Sequence, residues 1–320
     1  MKPWLLALAS IGGVVPASAQ TVFPAKPIRM VVSFPAGGPS DVVARLLAPR
    51  LGETLGQQVI VENRAGAGGA TGTEYVVRAP ADGHTITMGT IGGVAIAPLL
   101  NPKIGYRALR DLAPITQAVN IAYVLTVHPS VPARSTKELI ALAKARPGKL
   151  NYGTAGAGTG GHLAGELLKL MTGIDIVHVP YKGSAPAQTA LISGEVDISF
   201  ENFLIVIPQI KAGRLRPIAM TGAQRSKLMP ELPTIAESAL PGYSASGWYG
   251  ILAPAATPKD AIAKLNTELV RIIRSPDITE RLNSMAAEPA PGTPEAFREF
   301  LRTEIDKWSK VVTAAKMKAD

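Results

Sequence analysis

Ile28-Arg29-Met30-Val31-Val32-Ser33-Phe34 followed by Pro35-Ala36-Gly37-Gly38-Pro39-Ser40-Asp41 decides the architecture. The first seven residues are mostly apolar and β-branched, which reads as a strand. The next seven form a turn of small residues. A helical pattern follows, with Val43, Leu46, Leu47, Leu51 and Leu55 on one face and Gly56 as its stop. Pro49 lies inside that pattern and predicts a kink or interruption, because it has no N–H to give the helix. Gln58–Glu62 is the next strand. A second glycine-rich turn, Arg64–Ala70, leads into a helix for which Thr71 and Glu74 predict a capping box. Thr85–Met88 is a third strand, ending in Gly89-Thr90-Ile91-Gly92-Gly93. Strand, helix, strand, helix, strand with short loops argues for a parallel sheet covered by helices on both faces.

The same order recurs downstream. Ser135 with Glu138 predicts a capping box opening a helix that stops near Pro147-Gly148. Leu150–Gly153 is a short strand, Thr154–Gly161 a glycine-rich loop, and His162–Met171 a helix. Ile174–Val179 and Val196–Phe200 read as strands around a helix at Ala185–Ile192, and Leu215–Thr221 as a further strand. The last third is helical. Thr257-Pro258-Lys259-Asp260 and Thr293-Pro294-Glu295 each place a hydroxyl cap before a first-turn proline. Ile262, Leu265, Leu269 and Ile272 recur at helical spacing, as do Phe297, Leu301, Ile305, Trp308 and Val312, and both stripes are core packing. Lys316–Asp320 is expected to fray. Two such blocks make an α/β chain of two lobes, each a mostly parallel sheet flanked by helices, with a cleft between. Residues 20–123 with 251–320 form the first lobe and 124–250 the second. Tyr123–Val127 and Tyr249–Leu252 are candidates for the segments that cross between them.

Composition agrees. Of 320 residues, 47% are hydrophobic, enough for cores and too many for a disordered chain. Thirty-one glycines and 27 prolines are too many for a helical bundle. The absence of cysteine excludes a disulfide scaffold, thiolate metal sites and a cysteine nucleophile. Residues 1–19 have the layout of a secretory signal peptide: Lys2, an apolar run from Trp4 to Val15, then Ala17-Ser18-Ala19. Cleavage after Ala19 and export to the periplasm are expected. No later stretch has the ~18 apolar residues of a membrane span. The net charge of +9 is scattered, without a basic cluster or interleaved aromatics, so no nucleic-acid partner is expected. A mild positive field suits the attraction of small anions to a cleft.

Three turns lead into helices: Phe34–Asp41, Ala65–Thr71 and Thr154–His162. Helix starts carry unpaired N–H groups and partial positive charge, and glycine lets a ligand approach them, so an anion is the natural guest. Gly156-Ala157-Gly158-Thr159-Gly160-Gly161 satisfies G-x-G-x-x-G, but Asp175 begins the next strand, whereas a ribose-binding acid belongs near its end. No cofactor is expected. His84, His128, His162 and His178 show no metal-ligand pairing and read as capping or packing residues, with His162 also placed to face an anion. Glu201, after a strand end at Phe200 and before Asn202, is either a cleft residue or a solvated turn residue. An enzyme remains the competing class. It needs a nucleophile with a positioned base, and Ser33 or Ser40 with His84 or His162 has no motif behind it. A third class is an interaction protein with a vestigial cleft.

Several segments in order carry a family resemblance. They are Lys26-Pro27-Ile28-Arg29, Phe34–Gly38 with Asp41, Val61-Glu62-Asn63-Arg64-Ala65-Gly66-Ala67-Gly68-Gly69, and Ala81-Asp82-Gly83-His84-Thr85. His178-Val179-Pro180-Tyr181-Lys182-Gly183, Leu232-Pro233-Thr234, and Trp248-Tyr249-Gly250 before Ala253-Pro254 continue the series. Together they resemble the Bug (TctC-type) solute-binding proteins of tripartite tricarboxylate transporters. The resemblance implies a type II periplasmic-binding-protein fold and a non-catalytic role. It implies small carboxylate ligands (di- and tricarboxylates, aromatic acids, acidic amino acids), a membrane permease or a signalling system as partner, and a monomer. It places ligand contacts at Phe34, Pro35, Ala36, Gly37, Gly38 and Ser40, at Thr90 and Gly92, and at Thr154, Gly156, Gly158, Thr159, Gly160 and His162. Where the family often has Asp after the strand-ending Phe, this chain has Glu201, followed by the matching Asn202, and both are expected ligand contacts.

Overall fold

The computed structural model describes residues 23–318, so the expected signal peptide lies outside the described residues. The first block runs β1 (Ile28–Val32), α1 (Pro39–Leu55), β2 (Val59–Asn63), α2 (Ala70–Val77), β3 (Thr85–Thr90), α3 (Ala97–Leu100), α4 (Ala108–Asp111) and β4 (Leu112–Ile121). The second runs β5 (Tyr123–Val127), α5 (Thr136–Ala145), β6 (Leu150–Thr154), α6 (Gly160–Thr172), β7 (Ile176–Pro180), α7 (Ser184–Ser193), β8 (Ile198–Asn202), α8 (Phe203–Lys211), β9 (Arg216–Met220) and α9 (Ile235–Ser238). The chain closes with β10 (Gly247–Pro254), α10 (Lys259–Ile273), α11 (Pro276–Ser284), β11 (Ala287–Pro289) and α12 (Pro294–Ala314).

There are two sheets, ordered β11-β4-β10-β3-β1-β2 and β7-β6-β8-β5-β9. Both are mixed rather than mostly parallel. The βαβ halves pair in parallel, β1 with β2 and β3, and β6 with β7 and β8. The strands next to the passages between sheets, β4, β5 and β10, pair antiparallel with their neighbours. Only Ala122 separates β4 in the first sheet from β5 in the second. All of β10 lies in the first sheet, so the chain returns before Gly247. Tyr249–Leu252 is therefore part of a central strand of that sheet, not the crossing itself.

Local differences from the sequence reading have physical causes. Helix α1 continues through Pro49: Pro49 and Arg45, whose carbonyl loses its partner, are both exposed residues, so the interruption falls on the solvent side of the helix rather than in the core. Thr71 does not cap α2, which starts one residue earlier at Ala70, after a 3₁₀ turn and Gly69 with φ +100°. Thr257 does not cap α10, which begins at Lys259. Thr293 does cap α12, accepting from the Ala296 amide at 3.1 Å. The apolar face of α12 seats Phe297, Leu301 and Trp308 in the core, where Trp248 of β10 meets Phe297 edge-on at 5.7 Å. The same helix touches α6 of the other lobe, so one apolar cluster runs under both sheets. Among the described residues no helix is long and apolar enough to cross a membrane. Ala319 and Asp320 lie outside the described residues.

Candidate functional site

Register brings the site together. β5 pairs Tyr123 with Asn202 and Val124 with Glu201, and β10 pairs Tyr249 with Thr90. These strand ends and the loops beyond β1 and β6 enclose a cavity of about 290 Å³ between the sheets. Of the residues expected from the sequence, Phe34, Pro35, Ala36, Gly37, Gly38, Ser40, Thr90, Gly92, Thr159, Gly160, Glu201 and Asn202 line it.

Three helices point their N-termini at this cavity. Gly38, Thr159 and Gly183 are the N-caps of α1, α6 and α7, and among the described residues no side chain caps any of the three. Their first amides, Ser40 in α1, Gly160 and Gly161 in α6, and Ser184 and Ala185 in α7, have no partner within their helices. The amides and the helix dipoles together favour negative charge. By contrast α8 is capped by its own Asn202, whose Oδ1 accepts from the Leu204 amide at 2.9 Å.

The first-lobe loop is held from behind. Buried Asp41 accepts from the Gly37 amide and Arg45 Nε, each at 2.9 Å, and from Asn63 Nδ2 at 2.8 Å. Asn63 also donates to the Phe34 carbonyl at 3.0 Å. Burial opposes the Asp41 charge, but bonds from Arg45, Gly37 and Asn63 prevail and hold its carboxyl below the usual range.

The second-lobe loop departs from the expectation. Thr154, Gly156, Gly158 and His162 do not line the cavity; they shape the loop that does. Thr159 Oγ1 donates to the Gly156 carbonyl at 2.7 Å, and the Gly158 amide donates to His162 Nδ1 at 3.0 Å. His162 thus turns inward, away from a role in holding an anion, and its ring stacks on His178 with centroids 3.8 Å apart. Thr154 bonds to His178 across 2.7 Å. Burial lowers the pKa of His162 to about 4 and that of His178 to about 3, so both rings are neutral at pH 7. Gly158 packs toward Ile96 and Leu100 of the opposite lobe. The Ala65–Thr71 turn is also not part of this cavity. A side chain at Gly68 would collide with the Ala157 carbonyl, so its glycine serves close approach of the two lobes. Ala65–Gly69 of that turn and Gly156 line an adjoining hollow of about 530 Å³, which shares Phe34, Pro35, Ala155, Lys182 and Gly183 with the cavity.

Sequence reasoning missed Tyr123, Phe200, Tyr249 and the segment Lys182–Pro186. A signal for the last was present: Gly183 with φ +115° between β7 and α7 repeats the strand–glycine–helix order of the other two cradles. Tyr123 is gripped by two glycines, since a side chain at Gly160 or Gly247 would collide with its ring.

Glu201 is a cleft residue, not a solvated turn residue. It is 6% exposed, lines the cavity, and accepts from the Asn202 amide at 2.7 Å through Oε1. Burial raises its pKa to about 7, against the influence of the Asn202 amide and the Ser184 hydroxyl. The serine–histidine pairs of the enzyme alternative are not formed. His84 Nε2 accepts from the Ala25 amide at 3.2 Å, His162 is engaged by Gly158, and Ser33 faces Thr73. No group of acids and histidines able to hold a metal occurs among the described residues.

Comparison with known proteins places this geometry. Residues 43–317 match the TctC family, described as the tripartite tricarboxylate transporter family receptor. An R. palustris protein solved with adipate is 38% identical, superposes with a TM-score of 0.89, and is matched over 92% of this chain and 99% of its own. The periplasmic binding protein BugD is 34% identical with a TM-score of 0.87, over 93% and 100% of the two chains. MatC from Rhodopseudomonas palustris, solved with bound malate, is 31% identical with a TM-score of 0.84, over 91% and 100%. The fold is that of a two-lobed periplasmic binding protein, and the family is one of binding proteins rather than enzymes. Helix starts converging on an interlobe cavity, on a chain matched along nearly its whole described length, make this protein a member of the TctC (Bug) family of tripartite tricarboxylate transporter receptors.

Proposed function

We propose that this receptor is exported by its first 19 residues, captures a small carboxylate in the interlobe cavity, and presents it as a closed monomer to a membrane permease. The carrying observation is the set of three uncapped helix starts, α1, α6 and α7, aimed into one cavity from both lobes. Neutral donors hold an anion without burying a counter-ion and without its desolvation cost. Lys182, the single cationic side chain on the lining, is exposed at the rim. At about 290 Å³ the cavity suits a small guest. Adipate in one relative and malate in another are of that class.

The test is thermal unfolding of protein first unfolded and refolded to strip bound ligand, against mono-, di- and tricarboxylates, aromatic acids and acidic amino acids. A carboxylate at ~100 times its Kd adds about 2.7 kcal/mol and raises Tm by a few degrees. A panel in which none of these acids raises Tm would overturn the reading.

A further inference from the structure

Glu201 is out of place in a site built for anions. Its Oε1 takes the Asn202 amide and the Ser184 hydroxyl acts on the same carboxyl, yet among the described residues no cation offsets its charge. The groups around it are few. β5 brings Tyr123 and Val124, β10 brings Tyr249, α7 brings Ser184, and Asn202 follows it at the start of α8. The titratable ones are the two tyrosines and, at the rim, Lys182; no cation pairs with Glu201 among the described residues. A ligand held in this cavity by the helix starts therefore meets a second, acceptor-rich contact. Two facing carboxylates without a proton between them repel in such a buried place.

From this geometry we propose that Glu201 selects the ligand by requiring a hydrogen-bond donor opposite its carboxyl, so that a diacid enters with one shared proton while a hydroxyl, amide or ammonium group enters without one. The proposal rests on the carboxylate reading of the cavity. It defines the preferred ligand class as a carboxylate bearing a second, donating polar group. Because the free Glu201 titrates near pH 7, the proton a diacid needs is already on the protein at pH 6 and must be acquired at pH 8.

The experiment is calorimetric titration of ligand-stripped wild type and Glu201→Gln with malate, glutarate, adipate and the half-amides of the corresponding diacids, at pH 6 and pH 8. Wild type is expected to bind its best diacid roughly tenfold more weakly at pH 8 than at pH 6. The matching half-amide is expected to keep its Kd. In Glu201→Gln the diacid loses its pH dependence, because the amide donates without titrating. Equal diacid affinity at the two pH values, or the same change for diacid and half-amide, would overturn the proposal from wild type alone, even if the variant did not fold. So would a Glu201→Gln variant that retains the pH dependence. Binding of none of these compounds would overturn this proposal, while the carboxylate reading stands or falls separately on the full thermal-unfolding panel.

Discussion

Asp41 and Glu201 are both buried carboxylates, the first behind the first-lobe loop and the second on the cavity wall, and their surroundings set them opposite tasks. Asp41 accepts three hydrogen bonds, one from Arg45, and stays ionised as the pin of the first-lobe loop. Among the described residues Glu201 has no cationic partner, and its pKa rises from 4.5 to about 7. The folded protein holds that proton more tightly than the unfolded chain, so Glu201 lowers stability progressively as pH rises between those two values. Below pH 4.5 the effect vanishes, and above about 7 it is complete. Glu201→Gln removes it. Urea unfolding of the ligand-free protein is therefore expected to show the variant more stable than wild type at pH 8, by up to about 3 kcal/mol, with the gap closing toward pH 5. A gap independent of pH would mean that Glu201 is not the titrating group. The sequence offered Glu201 only as one of two alternatives, because burial at a strand end depends on β5 and β10 lying beside it.

The helices that feed the cavity were legible, and β4, which fixes the place of β10 beside it, was not. β1, α1, β2 and β3 follow directly from apolar periodicity and glycine punctuation. β4 escaped notice because Pro114 interrupts a run that carries Gln117 and Asn120. In the structure Pro114 pairs with Leu252 beside a register shift, a place where a strand tolerates proline. Without β4 the antiparallel half of the first sheet was invisible, and with it the position of Tyr249. Tyr123 was assigned to a crossing segment, and its partnership with Gly160 arises from packing alone. That partnership is testable at the start of α6. Gly160→Ala drives a methyl into the Tyr123 ring, which must move α6 or the ring. Carboxylate affinity is expected to fall at least tenfold while the circular dichroism spectrum is unchanged. Undiminished affinity would remove this helix start from the account.

The two lobes meet through backbone as well as through the apolar core. Gly68 lies against the Ala157 carbonyl, Gly158 against Ile96 and Leu100, and Gly183 against Pro35, each pair drawn from opposite lobes. The sequence attributed Gly68 and Gly158 to turns that let a ligand approach and gave Gly183 no such role. Their division into cradle and lobe contact depends on how the sheets face each other, which no spacing encodes. A hinge closing on ligand needs such contacts to form. Gly68→Val blocks one of them, at φ +61° where a β-branched residue is itself strained. Small-angle scattering should then show that saturating ligand no longer reduces the radius of gyration, and affinity should fall at least tenfold. A variant that compacts and binds as wild type does would show that this contact is incidental.

Amide chemical shifts read the cradle directly. In a ¹⁵N-resolved titration of ligand-stripped protein with its best carboxylate, the amides of Ser40, Gly160, Gly161 and Ser184 are predicted to move most, as each gains a charged acceptor. The largest movements at Gly66, Gly68, Gly156 and Tyr181, around the adjoining hollow, with Ser40, Gly160 and Gly161 unmoved, would contradict it.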